Sequence, residues 1–109
     1  DNTVSVLLNA GGTSFETAKI SDTGGSPESV RAGDFDGDGK PDVATADNFD
    51  GTVTILHGLG DGTFSILQSI TVGPEPWALA VADLNRDLKP DLVVTSVSGG
   101  PQGTGTITV

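Results

Sequence analysis

Two acidic segments of the sequence have a spacing that suits the binding of a cation. In the first segment, carboxylates recur at every second residue and are interrupted once by a lysine: Asp34, Asp36, Asp38, Lys40 and Asp42. Across a tight, glycine-rich turn the four carboxylates can converge, and their mutual repulsion then favours a bound cation. Ca²⁺, which takes about six to eight oxygen ligands, tolerates such irregular geometry better than Mg²⁺ does. The segment therefore predicts a Ca²⁺ site in which Lys40 contributes its backbone carbonyl.

The second segment follows the first at a distance of forty-nine residues. It consists of Asp83, Asn85, Asp87, Lys89 and Asp91, with Lys89 again offering its carbonyl. Leu88 stands where the first segment has Gly39, and a leucine at positive φ costs on the order of 1 kcal/mol. Asn85 also removes one charge and Arg86 adds one of the wrong sign, so we expect a weaker Ca²⁺ site. For both segments the alternative is that Asp, Asn and Gly simply form turns.

The same offset aligns residues outside the acidic segments. Thr3 falls on Thr52, and Phe15 falls on Phe64. A period of about 20 to 50 residues indicates a solenoid or a propeller, in which one unit cannot bury its own apolar face. Short runs of Val, Ile, Ala and Thr alternate with clusters of Gly, Asp, Pro and Ser, a pattern that predicts strands and turns. With four strands per repeat, the predicted fold is an all-β propeller of four-stranded antiparallel blades.

The predicted strands divide the chain into parts of three blades. Residues 1–22 hold the outer two strands of one blade, residues 28–72 a complete blade, and residues 76–109 the inner three strands of the next. Residues 1–109 are thus one propeller segment of about two blades. The predicted strands are Thr3–Leu8, Phe15–Ile20, Glu28–Phe35, Asp42–Ala46, Thr52–His57, Phe64–Val72, Pro76–Leu84, Asp91–Ser96 and Thr106–Val109.

Two blades cannot close a ring by themselves, since propellers contain about four to eight blades. We therefore expect the missing neighbours to be blades of a longer parent chain or other copies of this chain, which would form a homo-oligomer. In the second case Thr3–Leu8 and Thr106–Val109 are two candidates for one strand position, and three copies would supply six blades. The chain begins in mid-pattern, as a mature or excised segment would.

The composition narrows the classes of partner and of chemistry. Fifteen acidic residues against five basic ones give a net charge of −10, which disfavours nucleic acid and anionic membrane surfaces because both attract clusters of Lys and Arg. No apolar run approaches about 18 residues, so membrane insertion is not expected. The chain has no cysteine and no tyrosine and only one histidine. No pair of nucleophile and base suggests itself, and we expect no enzymatic activity.

Two single residues have structural explanations. His57 ends a strand beside a glycine and has no second imidazole or thiolate with which to complete a transition-metal site, so a capping or exposed role is expected. Trp77 could stack on a sugar, but it opens an inner strand. For Trp77, core packing at the start of a blade is the favoured interpretation.

The first acidic segment resembles the FG-GAP repeat, the calcium-loop blade of integrin α-subunit propellers and of many bacterial surface proteins. Asp34, Asp36, Asp38, Gly39 and Asp42 fit its pattern of Asp-x-Asp/Asn-x-Asp-Gly-x-x-Asp between two inner strands. The turn from Gly60 to Phe64 also looks like the bacterial versions. A helix-flanked calcium loop is excluded, because Thr45 stands where that loop requires a bidentate glutamate. The segments on either side also have the pattern of strands and not of helices.

This resemblance implies a non-catalytic, Ca²⁺-binding propeller segment of a secreted or cell-surface protein, used for adhesion or protein recognition. Two alternatives also rest on it: a glycan-binding lectin, for which Phe49 and Trp77 are the available aromatic residues, and a structural part of a larger secreted enzyme. Recognition is expected on the face away from the calcium loops. That face would carry Phe49 and the segment Ser98–Gly105, which is longer than its counterpart in the preceding repeat.

Overall fold

The computed structural model describes the backbone of residues 1–97 and 105–108 and the side chains of residues 1–97. The described residues form antiparallel sheets, and none of their segments is a helix that could span a membrane. The strands are β1 (Thr3–Val6), β2 (Asn9–Gly11), β3 (Ser14–Phe15), β4 (Lys19–Asp22), β5 (Pro27–Gly33), β6 (Asp42–Asp47), β7 (Thr52–Gly58), β8 (Phe64–Thr71), β9 (Pro76–Ala82), β10 (Asp91–Val97) and β11 (Gly105–Thr108).

The central unit is a four-stranded sheet in the order β5, β6, β7, β8, which we call blade 2. Blade 3 is the sheet of β9, β10 and β11, and blade 1 is the pair of β1 and β4. The predicted all-β architecture of antiparallel blades is confirmed, whereas closure into a ring stays a prediction. The hairpin connections alternate between the two ends of the sheets, so that the two acidic segments, between β5 and β6 and between β9 and β10, lie at equivalent positions.

The hydrophobic core lies between blade 2 and blade 3. Strands β6 and β7 are almost completely buried, and small β-branched or alanine side chains allow the two sheets to approach closely. Ala44 pairs with Ile55 and Ala46 with Val53, so these four side chains share one face. Together with side chains from blade 3 they form the core cluster of Ala44, Ala46, Val53, Ile55, Leu79 and Val94.

The prediction of a strand at Phe15–Ile20 is wrong in its extent. Residues Ser14–Phe15 pair with Asn9–Gly11, and a separate strand, Lys19–Asp22, pairs with β1. The reason is a tight turn at Gly11 and Gly12, whose φ values of 96° and 62° suit glycine. This turn forms a short hairpin of β2 and β3 after the end of β1. The outer strand of blade 1, β4, begins only after that hairpin. Predicted strand Thr106–Val109 overlaps β11, while residues 98–104 and 109 lie outside the described part of the chain.

Candidate metal centre

The first acidic loop connects β5 to β6 and winds around the carboxylate of Asp34. Backbone amides of Gly37 and Asp38 donate to Asp34 Oδ1 at 2.8 and 3.1 Å, and the amide of Gly39 donates to Oδ2 at 2.8 Å. Gly37 and Gly39 have φ values of 77° and 83°, which glycine adopts without steric cost. The loop is therefore held in shape by its own first carboxylate.

Two further carboxylates stand beside Asp34. The amide of Asp38 donates to Asp36 Oδ1 at 3.1 Å, and the amide of Lys40 donates to Asp38 Oδ1 at 2.8 Å. Asp34, Asp36 and Asp38 each offer an oxygen within 4.8 Å of the others, a spacing at which one ion can touch all three. The amide of Lys40 is the main reason why the pKa of Asp38 lies below its usual range, so this carboxyl keeps its charge.

The fourth predicted carboxylate ligand, Asp42, is completely buried at the start of β6. It ties the loop to the blade, because its Oδ2 accepts the amide of Phe35 at 2.9 Å and its Oδ1 accepts the amide of Gly58 at 2.8 Å. Each carboxylate oxygen has a second lone pair, so these bonds leave capacity for a cation. Asp42 forms a potential ligand group with Asp36 and His57 rather than with Asp34.

His57 belongs to this site, which its isolation in the sequence did not indicate. Its Nδ1 lies 2.7 Å from Asp36 Oδ2 and 3.4 Å from Asp42 Oδ1, and its Nε2 lies 3.7 Å from Asp38 Oδ2. The 2.7 Å contact lacks the geometry of a hydrogen bond, so the buried Nδ1 has no partner. The signal that could have found it is strand register. Val43 pairs with Leu56, which brings the next residue of β7 opposite the first residue of β6.

The second acidic loop reproduces most of the hydrogen bonds of the first. Asp83 accepts the amides of Asp87 and Leu88 at 3.1 and 2.8 Å, Asp87 Oδ1 accepts the amide of Lys89 at 2.9 Å, and Asp91 Oδ2 accepts the amide of Leu84 at 2.7 Å. The positive φ expected at Leu88 is present, at 66°.

Three features distinguish the second loop from the first. Arg86 also has a positive φ, of 64°, at the position of Gly37. Asn85 accepts the amide of Asp87 but directs its own side-chain amide at Asp87 Oδ2, 3.3 Å away. Among the described residues, the groups of three acidic or histidine side chains that could share an ion all include carboxylates of the first loop and none of the second. The backbone strain at Arg86 and Leu88 and the side-chain amide of Asn85 both make the second loop less suited to binding a cation.

Comparison with protein families identifies the repeat. A family model described as FG-GAP-like repeat matches residues 1–45 and again residues 34–94. The chain belongs to the FG-GAP-like repeat family. The resemblance drawn from the acidic spacing is thereby confirmed. Comparisons with curated proteins and with solved structures found no match. Repeats of this family are found in propeller domains for adhesion or recognition, are typically non-catalytic and extracellular or at the cell surface, and often bind calcium.

The two FG-GAP-like loops stand side by side on one face of the segment. A cleft of about 490 Å³ between them is lined by Asp34, Phe35, Asp36, Gly37, Leu88, Lys89 and Pro90. The turn between β7 and β8 adjoins the first loop, since a Cβ at Gly60 would contact the Lys40 side chain at 3.6 Å. The acidic residues therefore give this face a concentrated negative charge that attracts cations.

Proposed function

We propose that this chain is a non-catalytic, Ca²⁺-binding propeller segment that serves adhesion or protein recognition in a secreted or cell-surface protein. Membership of the FG-GAP-like family supports this class of role. The observation that supports Ca²⁺ binding is that Asp34, Asp36 and Asp38 each place a carboxylate oxygen within 4.8 Å of the others. Three ionised carboxylates at that separation repel one another, and a hard divalent cation relieves the repulsion.

The first loop would hold Ca²⁺ through the side chains of Asp34, Asp36 and Asp38 and through the carbonyl of Lys40. Asp42, whose oxygens group with Asp36 and His57 rather than with Asp34, would join them after a local shift. The ion supplies positive charge that neutralises the carboxylates. Backbone amides already fix Asp34, so little ordering of this carboxylate remains to be done when the ion binds. The second loop would use Asp83, Asn85, Asp87, Asp91 and the carbonyl of Lys89, with lower affinity.

We assign recognition to the opposite end of the blades. There Phe49 is 85% exposed in the turn between β6 and β7, an exposure that packing does not explain. Residues 98–104 of the other expected recognition segment lie outside the described part of the chain. Loops carried on a rigid sheet scaffold are common positions for binding residues.

Glycan binding is the second candidate, and a specific surface favours it. Two adjoining hollows at this end share Asn48 and Glu75, and they are flanked by Phe49 in one and by Trp77 in the other. Trp77 is 56% exposed, so it is not the core residue that its position in the sequence suggested. An aromatic face beside an amide and a carboxylate can stack on a sugar ring and bond its hydroxyl groups.

Calorimetric titration with Ca²⁺ tests the calcium part. We expect a dissociation constant of about 10⁻⁴ M at the first loop, in the range of extracellular modules. At roughly 2 mM Ca²⁺ this contributes about 1.8 kcal/mol of stability, so a chelator should lower the melting temperature. Asp38→Asn should abolish the tighter binding, whereas the matched Asp87→Asn should leave it intact. Absence of heat together with an unchanged melt in chelator would contradict the proposal.

A glycan array, probed with and without Ca²⁺, separates protein recognition from glycan recognition. If the hollows bind sugar, the wild type should label particular glycans and Trp77→Ala should lose that labelling without losing Ca²⁺ binding. Ile20→Ala is the matched control, because this residue is exposed on β4 and lies outside the hollows. An array with no glycan signal in either condition leaves protein recognition as the better account.

A further inference from the structure

His57, near the end of β7, faces carboxylates that come from two other parts of blade 2. Its Nδ1 lies 2.7 Å from Asp36 Oδ2 in the first loop and 3.4 Å from Asp42 Oδ1 at the start of β6. The ligand atoms of these three residues all lie within 4.8 Å of one another. The second imidazole or thiolate that the sequence lacks is therefore not needed, because carboxylates also serve as ligands of transition metals.

The environment of Nδ1 does not fit a hydrogen-bonded histidine. The atom is buried, and neither carboxylate contact has the geometry of a hydrogen bond. A proton on Nδ1 would make this nitrogen a donor, and buried donors are normally paired. Without that proton, Nδ1 places its lone pair beside two carboxylate oxygens, an arrangement that is repulsive unless a cation lies between them.

We propose that His57 Nδ1, Asp36 Oδ2 and Asp42 Oδ1 form a binding site for Zn²⁺. Zinc takes nitrogen from histidine and oxygen from aspartate at about 2.0–2.2 Å. Two such donors on one ion lie roughly 2.8–3.6 Å apart at angles between a right angle and the tetrahedral angle. The observed separations from Nδ1, 2.7 and 3.4 Å, are close to that range. With three donors from the chain, a tetrahedral ion keeps its fourth position for water.

Contacts behind the three ligands support the same assignment. Asp42 is completely buried, and the amides of Gly58 and Phe35 orient its two oxygens at 2.8 and 2.9 Å. On the imidazole, Nε2 lies 3.7 Å from Asp38 Oδ2. A carboxylate on this side favours the tautomer with its proton on Nε2 and leaves the Nδ1 lone pair for the metal, which is the usual arrangement of a metal-bound histidine.

The zinc ligands differ from the proposed Ca²⁺ ligands. Ca²⁺ prefers oxygen, and its set of Asp34, Asp36 and Asp38 contains no nitrogen. Asp36 belongs to both sets, and two divalent ions on one carboxylate repel each other. Binding of the two metals at this loop should therefore be mutually exclusive.

Nitrogen NMR of the imidazole tests the site directly, because His57 is the only histidine of the chain and no cysteine competes for zinc. When Zn²⁺ is added to the metal-free chain, the Nδ1 resonance should show metal binding while Nε2 keeps its proton. Unchanged imidazole resonances, or zinc bound through Nε2, would overturn the proposal.

Asp36→Asn removes one proposed ligand, while the side-chain carbonyl of asparagine can keep the bond from the Asp38 amide. The Zn²⁺ concentration needed for half of the Nδ1 change should rise by about tenfold or more, since even an outer-shell partner is typically worth that much. Asp87→Asn is the matched control, because it removes the same charge from the second loop. Equal effects of the two variants would show that only net negative charge attracts zinc, and would overturn the assignment of these ligands.

Competition with Ca²⁺ tests the shared carboxylate, and this experiment alone rests on the proposed Ca²⁺ site. At roughly 2 mM Ca²⁺ and a Ca²⁺ dissociation constant of about 10⁻⁴ M, the apparent affinity for Zn²⁺ should fall by about twentyfold. An unchanged zinc affinity in a chain that binds Ca²⁺ would overturn the sharing of Asp36. A chain that shows the Nδ1 change but binds no Ca²⁺ would contradict the proposed Ca²⁺ site and support the zinc site.

Discussion

The imidazole of His57 lies against Asp36, with Nδ1 2.7 Å from Oδ2, although Asp36 is in the first loop and His57 is near the end of β7, twenty-one positions away. The contact places one nitrogen among the oxygen atoms of the first loop. Calcium prefers oxygen ligands, whereas imidazole suits zinc and other transition metals. The first loop therefore offers two overlapping ligand sets, of which only one includes His57.

We predict that His57→Gln separates these two sets. The affinity for Ca²⁺ should change by less than about threefold, because the carboxylates are untouched. The affinity for Zn²⁺ should fall by about tenfold or more, since loss of a ligand or of its orienting partner typically costs that much. Titrations with each metal measure both effects. A larger loss for Ca²⁺ than for Zn²⁺ would show that the imidazole acts only by positioning Asp36.

Leu88→Gly should stabilise the second loop and raise its Ca²⁺ affinity. Leu88 is 93% exposed and has φ of 66°, so the change removes backbone strain of about 1 kcal/mol and little packing. The greater freedom of glycine in the unfolded chain offsets part of that gain. Urea unfolding and calorimetry measure the two effects. Gly39→Leu in the first loop is the reverse control, and a stability gain there would contradict the explanation.

Asp47→Asn should raise stability, because Asp47 is completely buried and its Oδ1 has no hydrogen-bond partner. Its Oδ2 accepts the hydroxyl of Thr54 at 2.5 Å and that of Thr52 at 3.4 Å, and the carbonyl oxygen of asparagine can keep both bonds. Replacing an incompletely bonded buried carboxyl group by a neutral amide should contribute about 1 kcal/mol. Asp42→Asn is the matched control on the same strand. It should destabilise the protein in chelator, since both oxygens of Asp42 accept backbone amides.

We expect the contact between Asp61 and Thr63 to make the free energy of unfolding depend on pH. The hydroxyl and then the amide of Thr63 donate to Asp61 and lower the pKa of its carboxyl. The ionised form therefore stabilises the fold above the usual Asp pKa of about 3.9, and this contribution is lost as the pH falls through the folded-state value. Thr63→Ala should lower the melting temperature at pH 6 and converge with wild type in strong acid. If the difference in melting temperature between Thr63→Ala and wild type is the same from strong acid to pH 6, the bonds from Thr63 to Asp61 are not the cause of the pH dependence.

The acidic loops show how far reasoning from sequence can reach. Most of their hydrogen bonds join residues at most five apart, so residue types and spacing were enough to predict the loops. The three exceptions are the bonds that Asp42 accepts from Phe35 and Gly58 and the bond that Asp91 accepts from Leu84. The positive φ of Leu88 followed from its alignment with Gly39. The same reasoning missed the break in the strand predicted at Phe15–Ile20, because a local glycine turn competed with the repeat pattern.

The sequence by itself determined the repeat, the all-β blades and the positions of the carboxylates along each loop, since these depend on interactions between near neighbours and on a period visible in the letters. Only the tertiary structure decided that His57 faces Asp36, that Asp47 is buried without a partner for Oδ1, and that Val30 is exposed where Leu79 is covered. Those three facts depend on strand register and on which sheets lie against one another, and residues far apart in the chain set both.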